Sequence, residues 1–255
     1  MDNNNKEKFH ENYIEGRNAV LEAFRSGKTI DKLFVLDGCQ DGPIKSITRE
    51  ARKHDAIINY VAKERLDQMS ETGKHQGVIA VSAAYEYAEV SDILENAERK
   101  GEPPFIIILD GIEDPHNLGA IIRTANQAGV HGIIIPKRRA VGLTPTVAKT
   151  SAGAINYTPV AKVTNISNTI KELKEKGMWF VCADMGGTTM YDLNLTGPIG
   201  LVIGNEGDGV SKLVKENCDM TASIPMVGDI DSLNASVATG VLAYEIVRQR
   251  LKSGK

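Results

Sequence analysis

The second half of the chain alternates short apolar runs with segments whose apolar residues recur every three or four positions. Residues 105–109, 132–136 and 199–204 contain no polar side chain, which is typical of strands buried on both faces of a parallel sheet. Residues 117–129 and 165–177 have helical spacing, and each of these segments ends in a glycine. This alternation predicts a parallel sheet covered by helices on both faces.

The same pattern predicts where the sheet would bind a ligand. Further strands are predicted at 178–184 and 220–226, a short helix at 209–217, and a long terminal helix at 232–252. Ligands of open parallel sheets bind beyond the carboxyl ends of the strands. Those ends are predicted at Asp110, Pro136, Asp184, Gly204 and Met226.

The first part of the chain, residues 1–82, predicts a separate and smaller α/β unit. Its predicted helices are 16–27 and 44–55, and its predicted strands are 32–37, 56–61 and 77–85. Residues 83–104 follow with two basic and six acidic side chains and end in Gly-Glu-Pro-Pro, a strong structural stop. We therefore predict a first domain at 1–82, a linker at 83–104 with a short helix from Ser91 to Arg99, and a second domain at 105–255.

Composition narrows the class of protein. A net charge of −3 over 255 residues gives no global sign of a nucleic-acid binder, so any such role must come from local patches. The cysteines, Cys39, Cys182 and Cys218, lie far apart, and the histidines lack the spacing of metal ligands. The polar start has no apolar signal-peptide core, and no apolar run reaches the ~20 residues of a membrane span. We expect a cytoplasmic protein without a metal.

Residues 201–213 form a glycine-rich loop after a predicted strand. Gly204, Gly207 and Gly209 resemble a phosphate-binding loop, but Glu206 and Asp208 lie among them. Their order and late position differ from the dinucleotide fingerprint, and the lysine of a P-loop is missing. Two carboxylates would repel a pyrophosphate, so a cationic or neutral ligand fits better. The alternative is a tight turn whose acids face water.

The segment 114–129 places a basic side chain near a predicted strand end. Asn117 occupies the predicted N-cap, and Arg123 points away from the apolar face of the helix. Gly119 lies one turn before Arg123 and costs about 1 kcal/mol relative to alanine within a helix. Close approach of a ligand would explain this glycine. The alternative is a solvated arginine on a surface helix.

Two further segments could contribute to a site. The terminal helix begins near Ser232 and Asn234 and is apolar on more than one side, so we expect it to pack on its own sheet and on a second subunit. A deeply buried helix of a monomer is the alternative. Lys137, Arg138 and Arg139 follow a strand end and suit a polyanion such as RNA. A solvated charge run would have the same sequence.

Together these segments resemble the three motifs of the SpoU/TrmH family of RNA 2'-O-methyltransferases, within the SPOUT class. The first motif, N-x-G-x-x-x-R, is matched by Asn117, Gly119 and Arg123. The second, G-x-E-G-x-G, is matched by Gly204, Glu206, Gly207 and Gly209. The third, S-L-N-x-S after I-P-M, is matched by Ile224, Pro225, Met226, Ser232, Leu233, Asn234 and Ser236. Ala235 stands where many members have valine.

The resemblance extends over nearly the whole chain. Residues 15–81 resemble the L30-like RNA-binding domain that precedes the catalytic domain in rRNA-modifying members. The predicted helix 44–55 carries the basic residues Lys45, Arg49, Arg52 and Lys53. The branch that modifies tRNA usually lacks such a domain. The chain is thus most similar to the 23S rRNA guanosine-2'-O-methyltransferase type.

The resemblance implies a fold, a cofactor and an assembly. The implied fold is an α/β knot, a trefoil-knotted parallel sheet, behind a small N-terminal α/β domain. The implied cofactor is S-adenosylmethionine, whose sulfonium cation suits an acidic loop, and the implied assembly is a homodimer. The cofactor would contact Gly204, Ile224, Met226 and Leu233.

The resemblance also implies roles in catalysis. It gives the leading role to Arg123, while Asn117, Glu206 and Asn234 shape the site. An arginine pKa above about 12 makes the guanidinium a poor base, so we expect Arg123 to hold an RNA phosphate and stabilise a developing alkoxide. The RNA phosphate or water would then accept the proton.

Three other functions remain open at this point. The chain could be a tRNA 2'-O-methyltransferase, a non-catalytic RNA-binding member of the fold, or a Rossmann-type nucleotide enzyme. The intact motifs argue against the second function, and the glycine order argues against the third. Binding of S-adenosylmethionine, NAD or ATP would separate them.

Overall fold

The computed structural model describes residues 12–254 and divides into two compact units. The first unit comprises the chain up to 86 together with 142–145, and the second comprises 87–141 together with the chain from 146 onward. Almost all of the polar start on which the signal-peptide prediction rests lies outside the described residues. Within residues 12–254, no helix combines the length and the apolar character needed to cross a bilayer.

The first unit is a four-stranded sheet with helices on both faces, and its strand order is β1-β4-β2-β3. β2 pairs parallel with β3, and the other neighbours pair antiparallel. Its elements are β1 (Tyr13–Glu15), α1 (Arg17–Arg25), β2 (Ile30–Leu36), α2 (Gly42–Lys53), β3 (Ile57–Val61), α3 (Lys63–Met69) and β4 (Val78–Ser82).

Alternation along β2 explains why helices cover both faces of this sheet. Leu33 and Val35 belong to the core cluster that α1 and α2 complete, whereas Phe34 and Leu36 pack with Leu66 and its neighbours on α3. At the start of α2, the side chain of the N-cap residue Asp41 accepts a hydrogen bond from the Ile44 amide at 3.1 Å.

The second unit is a six-stranded sheet in which all neighbouring strands are parallel, and its order is β10-β8-β9-β5-β6-β7. Its first elements are α4 (Val90–Lys100), β5 (Phe105–Asp110), α5 (Pro115–Gln127), β6 (Gly132–Pro136), α6 (Pro145–Thr150) and β7 (Val160–Val163). Its remaining elements are α7 (Ile166–Glu175), β8 (Trp179–Thr189), β9 (Ile199–Gly204), α8 (Lys212–Asn217), β10 (Met220–Ser223) and α9 (Ala235–Lys252).

Helices cover both faces of the parallel sheet, as the apolar runs predicted. Ile106 and Ile108 of β5 share a core cluster with α4, α7 and α8. On the other face, α5 packs against α9, and the Arg250 guanidinium of α9 lies 5.2 Å from the ring centre of Phe105. Every residue of β9 is buried, which agrees with its uninterrupted apolar sequence.

Two of the predicted strand ends are wrong. β8 continues past Asp184 to Thr189, and β10 ends at Ser223, three residues before Met226. The cause is an irregular pairing, because β10 faces Cys182 of β8 at one position and Thr188 at the next. No residue of β10 is in register with residues 183–187 of β8. The predicted ends at Asp110, Pro136 and Gly204 are correct.

The predicted helix within the linker segment is present as α4 and belongs to the second unit. Ile93 of α4 packs so closely on Gly132 of β6 that a Cβ added there would lie 2.4 Å from the Ile93 Cγ1. The acidic segment therefore contributes a side chain to the core of the second unit.

His131 is a buried and hydrogen-bonded histidine of the second unit. Its ring is fully buried, Nδ1 accepts a hydrogen bond from the Phe105 amide at 3.0 Å, and Nε2 lies 3.1 Å from the Glu102 carboxylate. Since Nδ1 is an acceptor, the proton of the neutral ring is on Nε2 and is donated to Glu102. Burial lowers the pKa of His131 because it penalises the charged ring, and the nearby Lys100 adds to this effect.

We expect the folded protein to lose stability as the pH falls below about 6.5, the pKa of a histidine in an unfolded chain. The unfolded chain then binds a proton that the folded state resists, whereas the full contribution of the neutral ring is present above that pH. His131→Asn keeps a side-chain acceptor and should give a flatter dependence of Tm on pH in thermal unfolding between about pH 5 and about pH 8. His116→Asn, at an exposed position, is the control and should retain the wild-type dependence. Equal slopes for wild type and His131→Asn would contradict this prediction.

Candidate active site

The glycine-rich loop after β9 folds back on itself. The side-chain oxygen of Asn205 accepts hydrogen bonds from the amides of Gly207 and Asp208, and the Asn205 carbonyl accepts one from the Gly209 amide at 3.1 Å. A Cβ at Gly204 would lie 1.9 Å from the Gly209 carbonyl carbon. The returning backbone of the loop thus requires glycine at 204, rather than the approach of a ligand.

One carboxylate joins the three motifs. The Glu206 Oε1 accepts hydrogen bonds from the side-chain amides of Asn117, at 2.8 Å, and of Asn234. The Asn234 amide also donates to the Asn117 Oδ1 at 2.9 Å. The first, second and third motifs therefore meet in one hydrogen-bonded cluster, which we call the Glu206 cluster (Asn117, Glu206 and Asn234).

Asn234 serves the cluster and its own helix at once. As the N-cap of α9, its Oδ1 accepts hydrogen bonds from the amides of Ser236 at 3.0 Å and Val237 at 3.4 Å. Its Nδ2 is then directed to Glu206 and Asn117. The helix start and the Glu206 cluster therefore fix the orientation of the same side chain.

Two predictions about the first motif are wrong. The N-cap of α5 is Asp114, whose side chain accepts from the His116 amide at 2.9 Å, so Asn117 lies within the first turn and is buried. A Cβ at Gly119 would lie 1.8 Å from the Thr150 Oγ1 of α6. The glycine therefore allows α6 to pack on α5, and no ligand is needed to explain it.

Arg123 lies on the exposed side of α5. Within residues 12–254 its guanidinium has no hydrogen bond and no ion pair, so it is available to an outside group. The next residue, Thr124, faces α9, where a Cβ at Gly240 would lie 3.5 Å from its methyl group. Arg123 is not among the side chains that line the cavity described next.

A cavity of about 250 Å³ lies beside the Glu206 cluster. Its lining includes all four residues for which the sequence predicted cofactor contacts, namely Gly204, Ile224, Met226 and Leu233. It also includes the carboxylates Asp184, Glu206, Asp208 and Asp231. Within the described part of the chain no lysine or arginine lines it, so the cavity favours a cationic or neutral ligand over a pyrophosphate.

One of these acids is held in its charged form. The Lys215 ammonium lies 2.8 Å from an Asp184 carboxylate oxygen, and the other oxygen accepts from the Gly186 amide at 2.9 Å. The hydrogen bond from Lys215 and then that from Gly186 lower the pKa of Asp184. Asp184 is therefore ionised and paired with Lys215 at the cavity wall.

The predicted RNA-binding residues lie elsewhere. Lys137 is half-buried, Arg138 and Arg139 are exposed just after β6, and none of the three lines the cavity. The structure thus gathers the cluster and the cavity residues, and leaves Arg123 and the basic loop outside them.

Sequence reasoning missed several residues of the cavity. Asp184 was placed at a strand end without a role, and Asp231 and Met185 were not considered. Asp231 lies in the loop between β10 and α9, and no pattern in the sequence indicates that this loop lines the cavity. The turn at Asn205 could have been predicted, because the side chain of an asparagine after a strand often accepts hydrogen bonds from the backbone amides that follow it.

Two family models match the chain. The SpoU rRNA Methylase family model matches residues 104–244, and the model described as RNA 2'-O ribose methyltransferase substrate binding matches residues 13–88.

Two bacterial relatives are similar in sequence to almost the whole chain. A Bacillus subtilis (strain 168) protein, YacO, assigned to the TrmH family of tRNA/rRNA methyltransferases, is 50% identical over 95% of this chain and 98% of its own. A protein of the same assignment from Staphylococcus haemolyticus (strain JCSC1435) is 47% identical over 94% of this chain and 97% of its own.

Solved structures have the same fold. The SpoU methyltransferase AviRb from Streptomyces viridochromogenes, in complex with AdoMet, superimposes with a TM-score of 0.60 at 25% identity and covers 94% of this chain and 90% of its own. A TrmH/SpoU tRNA modifying enzyme from A. aeolicus has a TM-score of 0.55 at 29% identity and covers 64% of this chain and 86% of its own. The fold-class prediction is confirmed: an N-terminal substrate-binding domain precedes, in sequence, an α/β domain with a parallel sheet. This architecture is consistent with the SPOUT knot fold.

Proposed function

Because this chain belongs to the SpoU rRNA methylase family of RNA 2'-O-methyltransferases, we propose that it methylates the ribose 2'-hydroxyl of a guanosine in 23S rRNA. The family membership confirms the resemblance read from the three motifs. The observation that carries the proposal is the Glu206 cluster, in which all three motifs are hydrogen-bonded beside an acidic cavity.

The cavity fits S-adenosylmethionine as the cofactor. When bound, this molecule supplies a methyl group on a cationic sulfonium, and the carboxylates of the wall suit that charge. The residues that would hold it are Gly204, Ile224, Met226 and Leu233. The bound cofactor in the AviRb structure and the family membership support this assignment.

Basic residues outside the cavity would position the RNA. We assign to Arg123 the binding of an RNA phosphate and the stabilisation of charge on the ribose 2'-oxygen, because its guanidinium is exposed and permanently charged. The RNA phosphate or water accepts the proton of the hydroxyl, since arginine is too weak a base. The hydrogen bonds among Asn117, Glu206 and Asn234 would hold the three motif segments together. Further phosphates would contact Lys137, Arg138 and Arg139.

The choice of ribosomal RNA rests on the first unit. We assign RNA binding to residues 1–82 and catalysis to 105–255, because a substrate-binding model matches residues 13–88. The tRNA modifying enzyme from A. aeolicus covers 64% of this chain, so about a third of the chain has no counterpart there. An additional RNA-binding unit suits a large, structured RNA.

Methyl transfer to RNA tests this proposal. The full-length protein is incubated with S-adenosylmethionine labelled in the methyl group and total RNA from cells that lack the modification, and 23S, 16S and transfer RNA are then separated. We expect label in 23S rRNA, at a ribose whose 3'-linkage resists alkali. Label in transfer RNA would support the proposed 2'-O-methylation and contradict the proposed 23S rRNA substrate. No label with a bound cofactor, in both naked RNA and ribosomal particles, would mean a non-catalytic RNA-binding member of the fold.

We also propose that the protein is a homodimer through α9. Val237, Tyr244 and Leu251 recur every seven residues on this helix, and their side chains are 50%, 50% and 69% exposed. An exposed apolar stripe of this kind marks a protein interface. Tyr244→Glu should convert the dimer into a monomer in sedimentation velocity, whereas Tyr157→Glu, at another exposed tyrosine of the same unit, should leave it a dimer. A monomeric wild-type protein would contradict the proposal.

A further inference from the structure

The first unit presents an exposed aromatic ring beside α2. Tyr60 lies on β3, at the edge of the four-stranded sheet, and its side chain is 52% exposed. Because side chains alternate along a strand, Tyr60 shares the face of Ile58, which packs on the core beneath α1 and α2. The ring is therefore supported by the sheet and open to solvent next to α2.

Side chains of α2 border the same groove. Lys45, Thr48 and Arg52 follow one another at helical spacing and, with Tyr60, line a groove of about 510 Å³. We call these four residues the Tyr60 platform. The loop from Asp37 to Gln40 closes one end, and the side-chain oxygen of Asp37 accepts a hydrogen bond from the Gly38 amide at 2.9 Å.

The charges of α2 are divided between paired and unpaired groups. Arg49 and Lys53, which lie off the groove, approach the Glu50 carboxylate at 3.8 Å and 3.0 Å. Lys45 and Arg52 are exposed and, within residues 12–254, form no ion pair and no side-chain hydrogen bond. Positive charge on this helix is thus left uncompensated where the helix faces Tyr60.

An exposed ring beside two cations that form no ion pair within residues 12–254 matches one ligand chemistry. Unstacked RNA bases bind on aromatic side chains, and the neighbouring phosphates bind lysine and arginine. A paired base inside a duplex has no free face for the ring. We propose that the Tyr60 platform binds an unpaired nucleotide of the RNA substrate, with the base on Tyr60 and the flanking phosphates at Lys45 and Arg52. This inference rests on the proposed function, because it specifies where the first unit holds the RNA.

Binding of short RNAs to the full-length protein tests the platform. The probes are a labelled single-stranded oligoadenylate and a labelled blunt RNA duplex of equal length, and the readout is fluorescence anisotropy. Tyr60→Ala should weaken binding of the single strand about tenfold, with the duplex unchanged, whereas Tyr60→Phe keeps the ring and should bind within about twofold of wild type. Equal affinity of Tyr60→Ala and wild type for the single strand would overturn the proposal.

The two pairs of cations on α2 provide a matched control. Lys45→Ala with Arg52→Ala should weaken binding of the single strand and lower the slope of log affinity against log salt by about 1 to 2. Arg49→Ala with Lys53→Ala removes the same charge from the same helix and should weaken binding by a clearly smaller factor, because both groups lie off the groove and share the Glu50 carboxylate. An equal loss in the two double variants would show that only net charge matters and would contradict the platform.

Methyl transfer separates this inference from the proposed function. If the wild-type protein methylates RNA, Tyr60→Ala should raise KM for the RNA about tenfold with little change in kcat or in cofactor affinity. An unchanged KM in an active enzyme would overturn the platform alone. Absence of methyl transfer in the wild type, together with single-strand binding that depends on Tyr60, would overturn the proposed function alone.

Discussion

Glu206→Ala is expected to lower the rate of methyl transfer at saturating cofactor and RNA by about two to three orders of magnitude. The substitution removes the carboxylate that accepts hydrogen bonds from Asn117 and Asn234, so two side-chain amides lose a charged partner. Each such bond contributes about 1.5–3 kcal/mol. Without them the three loops are free to separate, and a shift of about 1 Å in the reacting groups is enough for a hundredfold loss.

Asp208→Ala is the matched control for this variant. It removes the same charge from the same loop and the same cavity wall, but within residues 12–254 the Asp208 carboxylate forms no hydrogen bond or ion pair. We expect it to reduce turnover by less than about tenfold. Glu206→Gln keeps an acceptor oxygen and should fall between the two. Equal losses for Glu206→Ala and Asp208→Ala would mean that the charge of the loop, rather than the hydrogen-bonded cluster, is what turnover requires.

The sequence predicted those strands that are buried on both faces over nearly their whole length. β6 and β9 are apolar throughout, and β5 is apolar up to its last residue, Asp110, because helices cover both faces of these strands. Their sequences can therefore be recognised without knowledge of the neighbouring strands. β7 was missed, since its four residues include Lys162 and it becomes a strand only by pairing with β6. α3 and α6, which have seven and six residues, were missed as well.

The residues of the Glu206 cluster were predictable from the sequence, but the hydrogen bonds between them were not. The motif residues could be found from their spacing, whereas the hydrogen bonds of the Glu206 cluster join positions 89 and 117 residues apart. Gly119 and Gly204 show a second limit of prediction from the sequence. A glycine in a helix or at a strand end signals close contact, but the sequence does not say with what. In both cases the neighbour is the protein itself, α6 for Gly119 and the returning loop for Gly204.

Arg123→Ala is expected to lower turnover by about a thousandfold at saturating cofactor and RNA, because it removes the cation that would stabilise the charge on the ribose 2'-oxygen. Arg123 does not line the cavity, so the affinity for S-adenosylmethionine, measured by calorimetry, should remain within about twofold of wild type. Arg123→Lys should recover only part of the activity, since an ammonium cannot bind a phosphate through two parallel hydrogen bonds.

Arg138→Ala is the control for Arg123→Ala, because it removes an arginine at a different position. It removes the same charge from an exposed site in the basic loop, where we expect a higher KM for RNA and a nearly unchanged kcat. Added guanidinium should partly restore kcat in Arg123→Ala, because the proposed role needs a cation at that place and no proton transfer by the arginine. If turnover of Arg123→Ala stayed within a few-fold of wild type, Arg123 would neither stabilise the 2'-oxygen nor hold the reacting phosphate. The group that stabilises charge on the 2'-oxygen would then have to be sought among the other cations of the protein.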